Sequence, residues 1–309
     1  MSAILAPSEA VKHADAVLAS KGRSFHWARH LLGQKHAERA TRLYAFCRYL
    51  DDLTDEASST SVAQTKLASV REEILNGRSL DPSLSDGLAL VRECGIPVGP
   101  ILDLVSGTSS DLERVRVGDL PELIRYCYRV AGTVGLMMCR ILDVESPSAF
   151  AHAIDLGIAM QLTNICRDVV EDAAMGRRYL PGTLVGDLSP EELIHPDSVV
   201  RSKVSAAILT LLHLADEYYK SGEAGLCYLP VRARGAILVA SRVYRGIGIT
   251  LLDRQGDCWS NRAIVSAPQK AFLSFAALTS EPLKRSFWAP TAPHCSELHA
   301  ALDGFTISS

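Results

Sequence analysis

Apolar residues recur along most of this chain at intervals of three and four, the period of a helix with one buried face. The pattern predicts helices near 8–20, 23–33, 36–56, 61–76, 84–94, 97–114, 119–131, 133–143, 147–174, 189–194, 197–222, 229–253 and 268–278. Convincing strand alternation is absent. Proline and glycine punctuate the pattern at Asp81-Pro82, Gly95-Ile96-Pro97, Ser146-Pro147, Pro181-Gly182 and Ser189-Pro190. Asp119 with Glu122 reads as a capping box at a helix start. No repeat of solenoid period and no long Pro- or Ser-rich linker divides the chain. The expectation is one all-α domain over 1–289, followed by a tail of mixed composition, 290–309, that is partly disordered.

Two of these helices carry a polar strip inside apolar surroundings. At about 100° per residue, Tyr44, Arg48, Asp51 and Asp55 share one narrow arc. The same arithmetic groups Gln161, Asn164, Asp168 and Asp172, with Arg167 and Glu171 beside them. A single D-x-x-x-D usually marks a solvated face. Here the flanks Leu43 to Cys47 and Ile158 to Met160 are apolar, so both helices read as central. Acids buried on such helices cost free energy unless something binds them. Gln161 and Asn164 are likewise poor interior residues unless their amides find partners. Magnesium fits this donor set, because it prefers oxygen ligands and commonly bridges carboxylates to phosphate. The chain has neither a Walker-type phosphate loop nor a G-x-G-x-x-G after a strand. Diphosphate recognition would therefore rest on metal and basic side chains, with Arg48, Arg167, Arg177 and Arg178 nearest in sequence.

Composition narrows the function classes. The 309 residues are 48% hydrophobic and 22% charged, which is ordinary globular usage. A net charge of −3 and 6% aromatics argue against a nucleic-acid partner. The eight cysteines are scattered without a C-x-x-C pair, which argues against zinc ribbons and fits a reducing cytoplasm. No signal-peptide pattern opens the sequence, and no uninterrupted apolar run reaches the roughly 18 residues of a membrane span. The expected location is cytoplasmic, with peripheral membrane contact as an option. His26 and His30 stand four apart without a third metal ligand nearby, so they read as packing or surface residues.

Five blocks together resemble the squalene and phytoene synthase family, the head-to-head trans-isoprenyl diphosphate synthases. They are Lys21 to Phe25, Tyr44 to Asp55, Tyr126 to Gly135, Gln161 to Asp172 and Arg177 to Pro181, in the family's order, with the likeness running from about Ser20 to Lys270. The resemblance implies an isoprenoid synthase fold, with helices around a central cavity. It implies that Asp51, Asp55, Asp168 and Asp172, with Asn164, bind magnesium (or manganese) and diphosphate. Arg48, Arg167 and Arg177 would support that cluster, and Arg262 would help hold diphosphate. Ser24 and Phe25 would sit at the mouth and wall of the cavity. Tyr44, Tyr126, Tyr179 and Tyr244 would approach the reacting carbons or diphosphates, and Gln161 would join the substrate contacts. In the Val130 to Gly135 block, the small residues, with Val130, Ala131, Val134 and Gly135 at the substrate, would leave room for a prenyl chain; the plainer reading is tight helix packing. Thr108 stands where a bulkier residue is commoner, and Val117 where an aromatic is commoner.

The implied activity is phytoene synthesis. Two geranylgeranyl diphosphates would join through a cyclopropylcarbinyl (prephytoene) diphosphate, with no nicotinamide cofactor. One alternative is a C15 enzyme acting on farnesyl diphosphate to give dehydrosqualene, squalene or presqualene diphosphate. Another is a non-catalytic relative serving as an assembly or lipid-binding protein, a class that tends to lose the acidic motifs retained here.

Overall fold

The computed structural model describes residues 14–18, 23–55 and 57–304, apart from the side chains of Arg23 and Ser24. The helical periods become, in order, α1 (Arg23–Ala28), α2 (Gln34–Asp55), α3 (Thr60–Asn76), α4 (Pro82–Cys94), α5 (Val98–Ser110) and α6 (Leu120–Cys127). A π-helical turn, Tyr128–Gly132, leads straight into α7 (Thr133–Ile141). Then follow α8 (Ser148–Arg167), α9 (Val169–Ala174), α10 (Gly182–Val185), α11 (Pro190–Ile194), α12 (Ser198–Ala224), α13 (Val231–Asp253) and α14 (Ala267–Ser280). Among the described residues the only β pairing is an isolated bridge between Arg116 and Arg178.

Local chemistry sets the boundaries. Ser59, Asp81, Asp197 and the capping boxes at Ser189 and Ser266 hold the free amides of helix starts. Gly77 and Gly95 close α3 and α4 at φ +66° and +63°, where glycine avoids the Cβ penalty. Asp119 accepts from Glu122 N at 2.8 Å, but the Glu122 carboxylate takes the amide of Gly118 instead of Asp119. The helix expected over 97–114 stops at Ser110. Ser106, Thr108, Ser109 and Ser110 all turn their hydroxyls back onto carbonyls one turn earlier, a competition that weakens helix continuation.

The core has two main parts. One packs Leu50 of α2 against Leu84, Leu90, Ile101 and Ile141. The larger joins Ile154, Ile158 and Leu162 of α8 to Ile208 and Leu211 of α12 and Leu251 of α13. Fully burying each such side chain contributes roughly 1.5–3 kcal/mol. α12 and α13 are long and apolar enough to cross a membrane by length and composition, but here both supply this core. α8 lies almost on the backbone of its neighbours. A Cβ on Gly157 would stand 2.3 Å from Ala131 O, and one on Gly135 would stand 2.2 Å from Ala153 O. Gly135 thus serves tight helix packing as well as the cavity wall. In the C-terminal segment, Ser296–Leu302 forms a 3-10 helix with Leu302 buried.

Candidate active site

α2 and the α8–α9 pair face one another across a polar chamber of about 260 Å³. Asp51, Asp55, Asn164, Asp168 and Asp172 all line it, so the two strips do converge. The chain is not one helix through the second strip. It breaks at Asp168 (φ −103°, ψ 20°), yet Asp168 N still bonds Asn164 O and Asp172 N still bonds Asp168 O, each at 2.8 Å. The break therefore leaves the strip aligned.

Arginines are distributed unevenly over these acids. Arg167 forks onto Asp168, and Arg262 approaches the same carboxylate at 2.8 Å from a half-exposed position at the rim. Arg177 crosses from the second strip to Asp55 of the first at 3.2 Å. Arg48 pairs with Asp52 one turn on and stands 4.0 Å from Asp55. Among the described residues, Asp51 and Asp172 are left without a close cation. Burial deep in protein, with Asp55, Asp52 and Asp111 nearby, outweighs Arg48 and pushes the Asp51 carboxyl up to about 7. Burial and the neighbouring Asp168 push Asp172 up to about 8. Asn164 Nδ2 donates to Gln161 at 3.2 Å, while its buried Oδ1 accepts no hydrogen bond from the described residues.

The polar chamber opens onto an apolar one of about 310 Å³, and Arg48, Asp51, Val130, Gln161 and Asn164 line both. Phe25, Tyr44 and Tyr244 form an aromatic wall, with ring centroids 6.1 Å apart for Phe25–Tyr44 and 5.1 Å for Phe25–Tyr244. Val130, Ala131, Val134 and Gly135 line the opposite side. Burial raises the Tyr44 phenol to about 12 and that of Tyr244 also upward, so both rings stay neutral. Cys139, Leu142, Val144 and His152 complete the apolar lining. The shape is a charged mouth on an apolar pocket, suited to a ligand with an anionic head and a hydrocarbon tail.

Tyr126 and Tyr179 stack at 4.8 Å and both donate to Asp111, at 3.0 and 2.6 Å. Asp111 is a fifth aspartate of the polar chamber that spacing did not single out. Its only sequence signal is its place three residues after Thr108, which also reaches the chamber wall. Arg178 departs from expectation. It is 3% exposed and donates to Val117 O and Leu180 O, so it braces the loop instead of facing the chamber. The Ser24 side chain lies outside the described residues.

The family model described as squalene/phytoene synthase matches residues 18–269. A 15-cis-phytoene synthase from Enterobacter agglomerans is 34% identical over 268 residues, covering 82% of this chain and 90% of that protein. A phytoene synthase from Cereibacter sphaeroides is 35% identical over 290 residues, covering 90% and 80%. Among solved structures, a dehydrosqualene synthase in complex with ligand superposes with a TM-score of 0.79 at 26% identity, covering 89% of this chain and 98% of that one. A squalene synthase from Alicyclobacillus acidocaldarius shares the fold, with a TM-score of 0.69 at 20% identity over 80% and 94%.

Proposed function

The chain belongs to the squalene/phytoene synthase family, and from that premise we propose that it condenses two geranylgeranyl diphosphates head to head to phytoene. The observation that carries this reading is the acid- and arginine-lined chamber opening directly onto an apolar one. The phytoene synthases among its relatives favour the C20 substrate. The likeness to a dehydrosqualene synthase keeps the C15 reaction as the second reading.

The residues present fit a hard divalent cation. Among the described residues, Asp51 and Asp172 are carboxylates without a close cation, and the Asn164 oxygen is buried without a donor. Asp51, Asp55, Asn164, Asp168 and Asp172 would hold magnesium, with manganese as a substitute. When bound, the metal neutralises diphosphate and makes it a better leaving group. Arg48, Arg167, Arg177 and Arg262 orient the diphosphates by forked hydrogen bonds. The Phe25, Tyr44 and Tyr244 faces stabilise the allylic cation left behind. The second substrate's double bond attacks that cation, and loss of a proton closes a cyclopropylcarbinyl diphosphate. Its ionisation, rearrangement and loss of one proton give the linear triene. The apolar walls exclude water, which would otherwise quench the cation. Phe272, Phe275, Leu283 and Trp288 are exposed, and they support peripheral membrane contact for release of an apolar product.

The test is incubation of purified protein with magnesium and each labelled diphosphate. Phytoene from the C20 substrate is expected. Product from C15 alone would replace this reading with the dehydrosqualene or squalene one. No turnover with either, alongside tight binding of a protein partner, would favour a non-catalytic relative.

A further inference from the structure

Six residues before Gln161, on the same helix as the second strip, α8 carries a different acid. Asp155 is wholly buried, yet both of its oxygens are occupied from the C-terminal segment. His294 Nε2 stands 2.7 Å from Oδ2, and His299 Nε2 stands 2.8 Å from Oδ1. The three donor atoms all lie within 4.8 Å of one another. Ser221 of α12 donates its hydroxyl to the same carboxylate.

We propose that Asp155, His294 and His299 hold a zinc ion that staples the C-terminal segment to α8. Two imidazoles and one carboxylate form a mixed nitrogen–oxygen set that suits zinc, whereas magnesium prefers oxygen alone. His294 and His299 are separated by four residues, within the H-x₃₋₅-H spacing typical of zinc sites. Ser221 supplies the outer hydrogen bond that orients a ligating carboxylate. The segment also needs an anchor. It is an irregular stretch ending in the 3-10 helix Ser296–Leu302, in which Leu302 is the one fully buried side chain. Tyr218 Oη adds a bond to Leu298 O at 2.6 Å, Arg125 reaches Ala301 O at 3.5 Å, and half-buried Leu298 and Ala301 pack on the larger core. A metal clip would supply the remaining hold, as it does in small segments without a core of their own.

The staple also bears on the apolar chamber. The His294 ring meets the chamber-lining His152 at 5.2 Å, edge to face. His152 Nδ1 bonds Ser221 O at 2.7 Å, so Ser221 touches both the wall and the proposed site. The zinc would thus fix the wall that bounds the hydrocarbon tail.

The experiment uses the full chain, stripped with EDTA and returned to buffer with excess magnesium to mask the acidic strips. Zinc alone is added and retained metal is counted after gel filtration; cobalt(II) alone is added and its visible d–d absorption is read. Retention of about one zinc per chain is expected, with the intense cobalt bands of a tetrahedral site. The melting temperature should rise by several degrees with zinc. His294→Ala should abolish retention, bands and shift, while Asp51→Asn should leave all three. Removing a donor from the buried Asp155 carboxylate can unfold a variant, so His299→Gln provides a milder second case, and the cobalt spectrum of the unaltered chain needs no variant. No retained zinc and no cobalt bands in that chain would reduce the cluster to a hydrogen-bonded clamp. Zinc retention unchanged in both histidine variants would place the ion elsewhere.

Discussion

The two acidic strips have the same spacing but handle it differently. In α2 the inner aspartate, Asp51, is bare, and the outer one, Asp55, is held by Arg177. In the second strip the order reverses. Asp168 is gripped by Arg167 and Arg262, and Asp172 is bare. Each strip therefore contributes one acid paired with arginine and one without a close cation among the described residues. The held acids position the arginines that, on the proposed function, would meet the diphosphates. The other two acids carry the free-energy cost of burial, which a bound cation would relieve.

Exchanging a bare acid for a neutral residue should have the largest effect on turnover. Asp51→Ala and Asp172→Ala are expected to lower kcat/KM by about 10²–10³-fold or more, the scale seen when a group stabilising developing charge is lost. In chelated protein the isosteric Asp51→Asn should raise the melting temperature, because an uncompensated buried charge disappears. Asp168→Ala should lower turnover and also lower the melting temperature, since it strands the largely buried Arg167. If Asp51→Asn and Asp168→Ala shift stability in the same direction, the distinction between bare and held acids is wrong. Next in size is Arg177→Ala, which cuts the bridge between strips; a 10–100-fold loss of activity is expected, as for outer partners of a metal site. Replacement by lysine should restore little of it, because the fork is lost.

The same comparison has a pH signature. Burial lifts these two carboxyls to about 7 and about 8 in the folded chain, from 3.8 for a free aspartate. The folded state binds more protons than the unfolded state over this window, so stability of chelated protein falls as pH rises from about 4 to about 8 and levels off above. Saturating magnesium should flatten that slope. Urea unfolding at pH 5, 6.5 and 8, with EDTA or magnesium, measures it. An EDTA series that is flat or rises with pH would mean that the acids already have partners.

Much of the architecture was legible because it follows from local periodicity. The apolar positions of α2, α8, α12 and α13 repeat at the helical interval, and their Pro, Gly and Ser caps lie within a few residues. What escaped depends on contacts across the fold. The π turn at Tyr128–Gly132 replaces an expected helix break, and an inserted residue of that kind leaves no mark on hydrophobic spacing. Arg178 looked like its neighbour Arg177, and only the path of the loop sends one to carbonyls and the other to Asp55. Asp111 is a single acid at a helix end, recognisable as part of the chamber only once Tyr126 and Tyr179 converge on it. The Asp155 cluster joins residues 139 and 144 positions apart, beyond any motif.

The smallest expected effect probes the rim. Arg262 touches Asp168 at 2.8 Å and Glu171 at 3.5 Å, but it is 52% exposed. Water and salt screen such a pair, so its contribution is about 0–1 kcal/mol, against the partly buried grip of Arg167 on the same carboxylate. Arg262→Ala should therefore reduce kcat/KM by about fivefold or less, and the loss should shrink further as ionic strength rises. Its melting temperature should not change measurably. A loss comparable to that of Arg177→Ala, insensitive to salt, would mean that the rim closes over substrate and excludes solvent in the working enzyme. In that case Asp168 would be held by two buried cations during turnover, and the contrast with Asp172 would be sharper than the unliganded geometry implies.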